Sequence, residues 1–312
     1  MKNKAKALSR LWTFLWVVVL IGGTYLFMKI TSSNISIGQG GITIATDKIS
    51  QGKEKIKSIE KNKKAAKRAN EKILVPNNCS VVNEGTLYVS NKYFTVSEFW
   101  MCKTEVSVAE YYDIVGENPT SVENTSNTPV NFVSWYDCIN YCNLLSIKDE
   151  LDPVYTVDGK NVTADFSKNG WRLPTKTEWC WAAMGAKSYR EFTYSGSNNI
   201  DEVAWYLKNS GNHTNACGTK APNQLGIYDM TGNVAEWCWD YYWDLYNNED
   251  VPTFVDNYTG PTGDKTIKRA ICGGFFGNSD KRSGILEYQD LSGPTGKSES
   301  YGFRVVRNAI HE

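Results

Sequence analysis

One stretch of the chain stands apart in its polarity. Residues 11–28, LWTFLWVVVLIGGTYLFM, carry no charge, and about 18 such positions are the minimum for a helix that crosses a bilayer. Lys2, Lys4, Lys6 and Arg10 precede the run without an acid, whereas only Lys29 is basic between the run and Lys48. Positive charge stays on the cytoplasmic side of such a span, so the pattern predicts a cytoplasmic tail over 1–10 and a transmembrane anchor over 11–28. No small-x-small site follows the apolar run, which argues against a cleaved leader. Residues 29–76 read as a spacer and a basic helical stalk: 31–46 are rich in Ser, Gly, Thr and Ile, and from Lys48 onward Ile56, Ile59, Ala66 and Ile73 recur at loosely heptad spacing.

From residue 77 to 308 the texture changes to short strands, Gly/Asn/Pro turns and a few helices, read as one domain. GTLYVSNKYFTVSEFWMCKTEVS alternates apolar and polar residues on both sides of Asn91-Lys92, which predicts a hairpin. Three helices should begin at capping boxes: Ser107 with Glu110, Ser134 with Asp137, and Thr175 with Glu178. Gly116 and Gly185 are placed to end the first and third, since glycine accepts the left-handed conformation after a helix. The second should bury Trp135, Cys138, Ile139, Cys142 and Leu145 on one face. Short strands, few helices and long loops make an α+β pattern with little regular structure.

Charge sharpens the division. The 34 Lys/Arg and 34 Asp/Glu balance, yet residues 1–75 hold 15 basic against 4 acidic residues, which leaves 19 against 30 for the body. An acidic body is the wrong surface for phosphate backbones, so nucleic acid is not an expected partner. Eleven Trp and 18 Tyr exceed what a core requires, so many aromatics belong in loops or at the surface. Eight Cys, at 79, 102, 138, 142, 180, 217, 238 and 272, would be free to pair outside the cell. Cys138 and Cys142 cannot pair with each other, because helical positions four apart hold their Cβ atoms about 5–6 Å apart. The only histidines are His213 and His311, too few for a three-His iron site, and neither sits in a context that suggests a catalytic triad.

Four segments, taken in order, carry a family resemblance: MCKTEVSVAEY at 101–111, NTPVNFVSWYDCINYCN at 127–143, WRLPTKTEWCWAA at 171–183 and GIYDMTGNVAEWCWDYY at 226–242. With Gly273-Gly274 and the closing GFRVVRN at 302–308, the chain resembles the formylglycine-generating-enzyme (sulfatase-modifying factor) family. The resemblance implies a C-type-lectin-like fold, a groove on one face, and calcium held by loops. It would place calcium on the side chains of Asn233 and Glu236 and the carbonyls of Val234 and Cys238; hard oxygens of this kind suit that ion. Val203 stands where a second calcium site of the family would need Asn. The residues themselves suggest plainer roles elsewhere, with Arg172 an ion-pair former and Trp179, Trp181, Trp237 and Trp239 packing residues.

The family's oxidase grips Cu(I) with two cysteines shortly after the Gly pair, as a soft ion requires. Here Asn278 and Ser283 occupy those positions, so copper is not expected and no catalytic residue is assigned. The favoured expectation is a non-catalytic module with a groove rimmed by Asn278, Asp280, Arg282, Ser283, Glu287 and Tyr288. It would bind a protein or a glycan on the periplasmic or extracellular side, with residues 11–28 in the membrane. The alternative is an oxidoreductase of the formylglycine-generating type, or a related metal-dependent oxidase, with altered active-site residues. A variable receptor module is a third possibility, since residues 275–301 are rich in Asn, Ser, Asp and Gly.

Overall fold

The computed structural model describes residues 15–21, 24–30, 35–38, 41–44, 75–123, 125–244, 246, 249, 251–261, 267–280 and 289–309, with backbone pairing alone before residue 45. The chain divides into a unit ending at Asn70 and a second running from Glu71 to Glu312. In the first, β1 (Leu15–Ile21) pairs antiparallel with β2 (Thr24–Ile30), and β3 (Ile35–Gly38) with β4 (Gly41–Ile44). Over the described part of 11–28 these strands stand where a helix was expected; residues 11–14 and 22–23 lie outside the described residues. Val17, Val18 and Val19 are β-branched and favour extended backbone. Ile21 pairs with Thr24, so only Gly22-Gly23 separates the strands, a two-residue spacer of the kind hairpins use. No helix among the described residues is long and apolar enough to cross a membrane. The stalk expected over 48–74 lies outside the described residues.

Among its described residues the second unit holds three sheets of three or four strands, one two-stranded hairpin and a few helices. β5 (Cys79–Val82), β8 (Phe99–Cys102) and β16 (Val306–Asn308) form one antiparallel sheet, in which β8 pairs with strands from both ends of the domain. β6 (Gly85–Val89) and β7 (Lys92–Val96) make the expected hairpin, joined by β12 (Phe254–Asp256) running parallel to β7. Its turn falls at Ser90-Asn91, one residue earlier than the sequence suggests, because both residues take positive φ (48° and 61°), which a two-residue loop demands. The third sheet has the order β14 (Gln289–Ser292), β13 (Arg269–Cys272), β11 (Ala235–Tyr241), β15 (Tyr301–Gly302). A separate hairpin joins β9 (Tyr155–Asp158) to β10 (Asn161–Ala164).

The helices α1 (Val108–Val115), α2 (Trp135–Lys148) and α3 (Lys176–Ala183) begin at Ser107, Ser134 and Thr175, each with a complete capping box. Gly116 closes α1 in the left-handed conformation; α3 ends at Ala183, and Gly185 takes its positive φ after the cap residue Met184. A single turn, α4 (Ile200–Val203), precedes the long loop that leads to β11. α2 buries Trp135, Cys138, Ile139 and Cys142 as expected, with Tyr141 and Ser146 added and Leu145 only half-buried. Among the described residues, two large apolar clusters form most of the core, with Trp135, Trp237 and Phe303 in one and Phe94, Trp179 and Met101 in the other; a third, small one holds Ile200, Ala204 and Tyr206. Arg172 is the ion-pair former its setting suggested, with both terminal nitrogens 2.7 Å from the Glu178 carboxylate.

Candidate functional site

Residues 231–234 lead into β11, so Glu236 lies on a strand and not on a loop as the sequence suggests. Gly232 takes φ +83°, and its backbone meets Trp205 so closely that an added Cβ would stand 2.2 Å from the Trp205 carbonyl oxygen. Only glycine can sit there. Asn233 follows with φ +57° and is fully buried. Its Oδ1 accepts from the Asn215 amide at 2.9 Å, and its Nδ2 donates to Glu105 Oε1 at 3.1 Å and to the Asn215 carbonyl at 3.2 Å.

Glu236 is also fully buried, and Arg304 meets it from the segment between β15 and β16. Arg304 Nη2 donates to Oε1 and Nε to Oε2, each at 2.7 Å, and Trp179 Nε1 adds a bond to Oε2 at 2.8 Å. The remaining guanidinium hydrogens go to the carbonyls of Tyr228, Cys102 and Lys103. Burial pulls down the pKa of Arg304, but the Glu236 carboxylate and its hydrogen bonds outweigh that and hold it above the ordinary arginine value. Nearby, burial and the Asp229 carboxylate push Glu105 well above the carboxylate range, and burial raises Asp229 too.

These contacts decide how the loop suits calcium. The ion needs six to eight oxygens turned toward one point. Both Glu236 oxygens are held by Arg304, Asn233 Oδ1 by an amide, and the Cys238 carbonyl by Trp135 Nε1 at 3.0 Å. Of the expected set of Asn233, Val234, Glu236 and Cys238, the oxygens of all but Val234 are therefore already engaged, and a guanidinium stands as cation to the carboxylate. Among the described residues, no group of three or more His, Cys, Asp or Glu is arranged to hold a metal.

Of the expected groove, Arg282, Ser283, Glu287 and Tyr288 lie outside the described residues. Asn278 is buried: its Oδ1 accepts from the Phe275 amide at 2.8 Å and its own amide donates to the Phe275 carbonyl at 2.9 Å. That side chain closes the turn after Gly273-Gly274. Asp280 is at the surface, where its carboxylate takes Lys208 Nζ at 2.9 Å. His213 is exposed and lies beside the Thr214 carbonyl.

A different surface carries exposed chemistry. In the sheet β6–β7–β12, alternate residues turn Leu87, Val89, Phe94 and Val96 into the core. The opposite face then presents two rows in register, Tyr88–Tyr93–Phe254 and Thr86–Thr95–Asp256. Tyr88 is 53% and Phe254 46% exposed. The Tyr93 ring lies 4.8 Å from each neighbour, tilted against Tyr88 and stacked on Phe254. In the polar row the Thr95 hydroxyl donates to Asp256 Oδ1. The sequence reading missed this row. Its signal was the outward alternation of Tyr88 and Tyr93 in the predicted hairpin, but Phe254 arrives from about 160 residues away and no local pattern announces it.

Comparison with known proteins agrees with the motifs. Over 185 residues the chain is 42% identical to the chaperone protein LppX of Paenibacillus barcinonensis, covering 49% of this chain and 66% of that protein. Over 186 residues it is 30% identical to the formylglycine-generating enzyme of Thermomonospora curvata, covering 55% and 52%. The chain thus spans less than two thirds of the length of these relatives. Among solved structures, Treponema denticola variable protein 1 superposes with a TM-score of 0.65 at 30% identity, over 74% of this chain and 94% of that one. Residues 58–309 match the sulfatase-modifying factor enzyme 1-like domain, and with its C-type-lectin-like arrangement of short mixed sheets the chain belongs to that family.

Proposed function

We propose that this chain is a non-catalytic member of its family, a recognition module that binds glycans on the periplasmic or extracellular side. The observation that carries the reading is the exposed aromatic row Tyr88–Tyr93–Phe254 beside the polar row Thr86–Thr95–Asp256. A pyranose ring has one face of C–H bonds and an edge of hydroxyls. Aromatic faces suit the first and carboxylate or hydroxyl oxygens the second. The two rows are adjacent on one pleated face, so one sugar ring can meet both. Similarity to a protein named as a chaperone is in keeping with binding, beside the similarity to formylglycine-generating enzymes.

Against copper-dependent oxidation stands Asn278, whose amide is spent on the turn where that chemistry would place a thiolate. The test is electrophoresis of the purified chain through gels that contain a soluble glucan, mannan or chitin fragment. At least one polysaccharide should retard the wild type, and F254A should restore its mobility. Unretarded migration in all three, or oxidation of a cysteine peptide by the copper-loaded protein, overturns the reading.

A further inference from the structure

All eight cysteines are buried, and none is in a disulfide. Their surroundings differ. Cys180, Cys238 and Cys272 meet inside the core at 3%, 0% and 1% exposure, with Cys238 Sγ 3.8 Å from Cys272 Sγ. Cys138 and Cys142 face the core from α2. Cys79 and Cys102 lie opposite each other on β5 and β8 with their sulfurs 3.3 Å apart, and Cys102 forms part of the wall of a cleft of about 310 Å³. Asn78, Glu110, Tyr141, Trp171 and Arg307 line the same cleft.

The backbone already suits a bond between them. Cys79 donates its amide to the Pro76 carbonyl and Cys102 to the Val305 carbonyl, so the pair does not exchange amide hydrogen bonds. Facing residues of that type in an antiparallel ladder hold their Cα atoms about 4.5 Å apart, within the span a disulfide bridges. Only side-chain rotation is needed to close the gap. Cys102 is 9% exposed, against 3%, 0% and 1% for Cys180, Cys238 and Cys272.

We propose that Cys79 and Cys102 form a reversible thiol–disulfide site whose co-reactant is a low-molecular-weight disulfide entering through this cleft. Cys102 gives its proton to solvent, and the thiolate attacks one sulfur of the incoming disulfide. That S–S bond breaks, and one thiolate leaves and takes up a proton. Cys79 then loses its proton and attacks Cys102 Sγ in the mixed disulfide, which expels the second thiolate. Two protein thiols are oxidised to one disulfide, and one external disulfide is reduced to two thiols. The new bond ties β5 to β8, which fixes the entry of the chain into the domain to the sheet that also holds its last strand. The hydrogen bond with Cys79, together with burial, pushes the Cys102 thiol well above its ordinary pKa, so the exchange should quicken about tenfold per pH unit over the neutral range.

The experiment treats the purified full chain with oxidised glutathione at pH 7 and pH 8, then counts thiols under denaturing conditions and maps linked peptides by mass spectrometry. Two of the eight thiols should be lost, with Cys79 and Cys102 in one linked peptide and a faster reaction at pH 8. The oxidised form should melt about 5–10 °C higher. In C79S, which lacks the resolving thiol, glutathione should remain attached to Cys102. Eight intact thiols after prolonged exposure, or a linkage mapped to Cys238 and Cys272 instead, overturns the proposal. The wild-type map decides the matter even if C79S fails to fold.

Discussion

The loop around Asn233 and Glu236 and the outer face of β6–β7–β12 are opposites in how their chemistry is spent. The loop contains the residues that the family motif singles out, yet Asn233 and Glu236 are fully buried and hydrogen-bonded to Asn215, Glu105, Trp179 and Arg304. The sheet face contains no motif residue, and two of its three aromatic rings stand about half exposed. A buried ion pair contributes rigidity only while both partners remain, because each charge left alone in the core keeps its desolvation cost. An exposed aromatic row gives little to the core and leaves its surface for a ligand. The motif therefore reports how the domain is held together, and the proposed recognition surface lies outside it.

The strongest way to break this contrast is at the ion pair. E236Q or R304M should each destabilise the domain by about 3–5 kcal/mol, read as a lower urea midpoint with an unchanged slope. Their effects should be far from additive, since the double variant E236Q/R304M removes both charges together. A domain that tolerates either single change with less than about 1 kcal/mol of loss would show that the loop is not the structural pin described here.

The exposed row should respond in the other sense. Y93A and F254A should weaken polysaccharide binding about tenfold, which corresponds to about 1.4 kcal/mol, while the urea midpoint stays near that of the wild type. D256A should act more selectively, since it removes one hydrogen-bond acceptor worth about 0.5–1.5 kcal/mol. It should change the preference among glucan, mannan and chitin fragments more than it changes overall affinity, as gel retardation in each polymer would reveal. A row of variants that altered stability and left retardation untouched would erase the distinction between the two regions.

How much of this was legible in the sequence follows from the range of each interaction. All three helix starts were readable, because a capping box is closed by residues three positions apart. The partnership of Arg172 with Glu178 was half-readable: the residue type gave the role, and a separation of six positions hid the partner. Arg304 and Glu236 lie 68 residues apart, and Tyr93 meets Phe254 across 161. No periodicity encodes such meetings, and only the fold brings them together. The expected membrane helix over 11–28 gave way to paired strands because hydropathy fixes how apolar a segment is and says less about its backbone, which the three successive valines and Gly22-Gly23 bias toward a hairpin.

Calcium gives the smallest expected effect and the sharpest discrimination. A ligand that binds only the folded state adds stability by mass action, about 2.7 kcal/mol when its concentration is a hundred times its Kd. If the Asn233–Glu236 loop held the ion as the family resemblance implies, millimolar calcium would raise the melting temperature and a chelator would lower it. The geometry predicts that neither changes it, because Arg304 donates to both oxygens of Glu236 and the guanidinium cannot leave without stranding a charge at 0% exposure. R304M makes the same measurement informative in reverse. With the guanidinium gone, Glu236 Oε1 is freed and Oε2 keeps only its bond from Trp179 Nε1, and calcium should then stabilise the variant while leaving the wild type unmoved. Stabilisation of the wild type would mean that the ion and the arginine share the carboxylate, and the loop would have to be counted as a binding site after all.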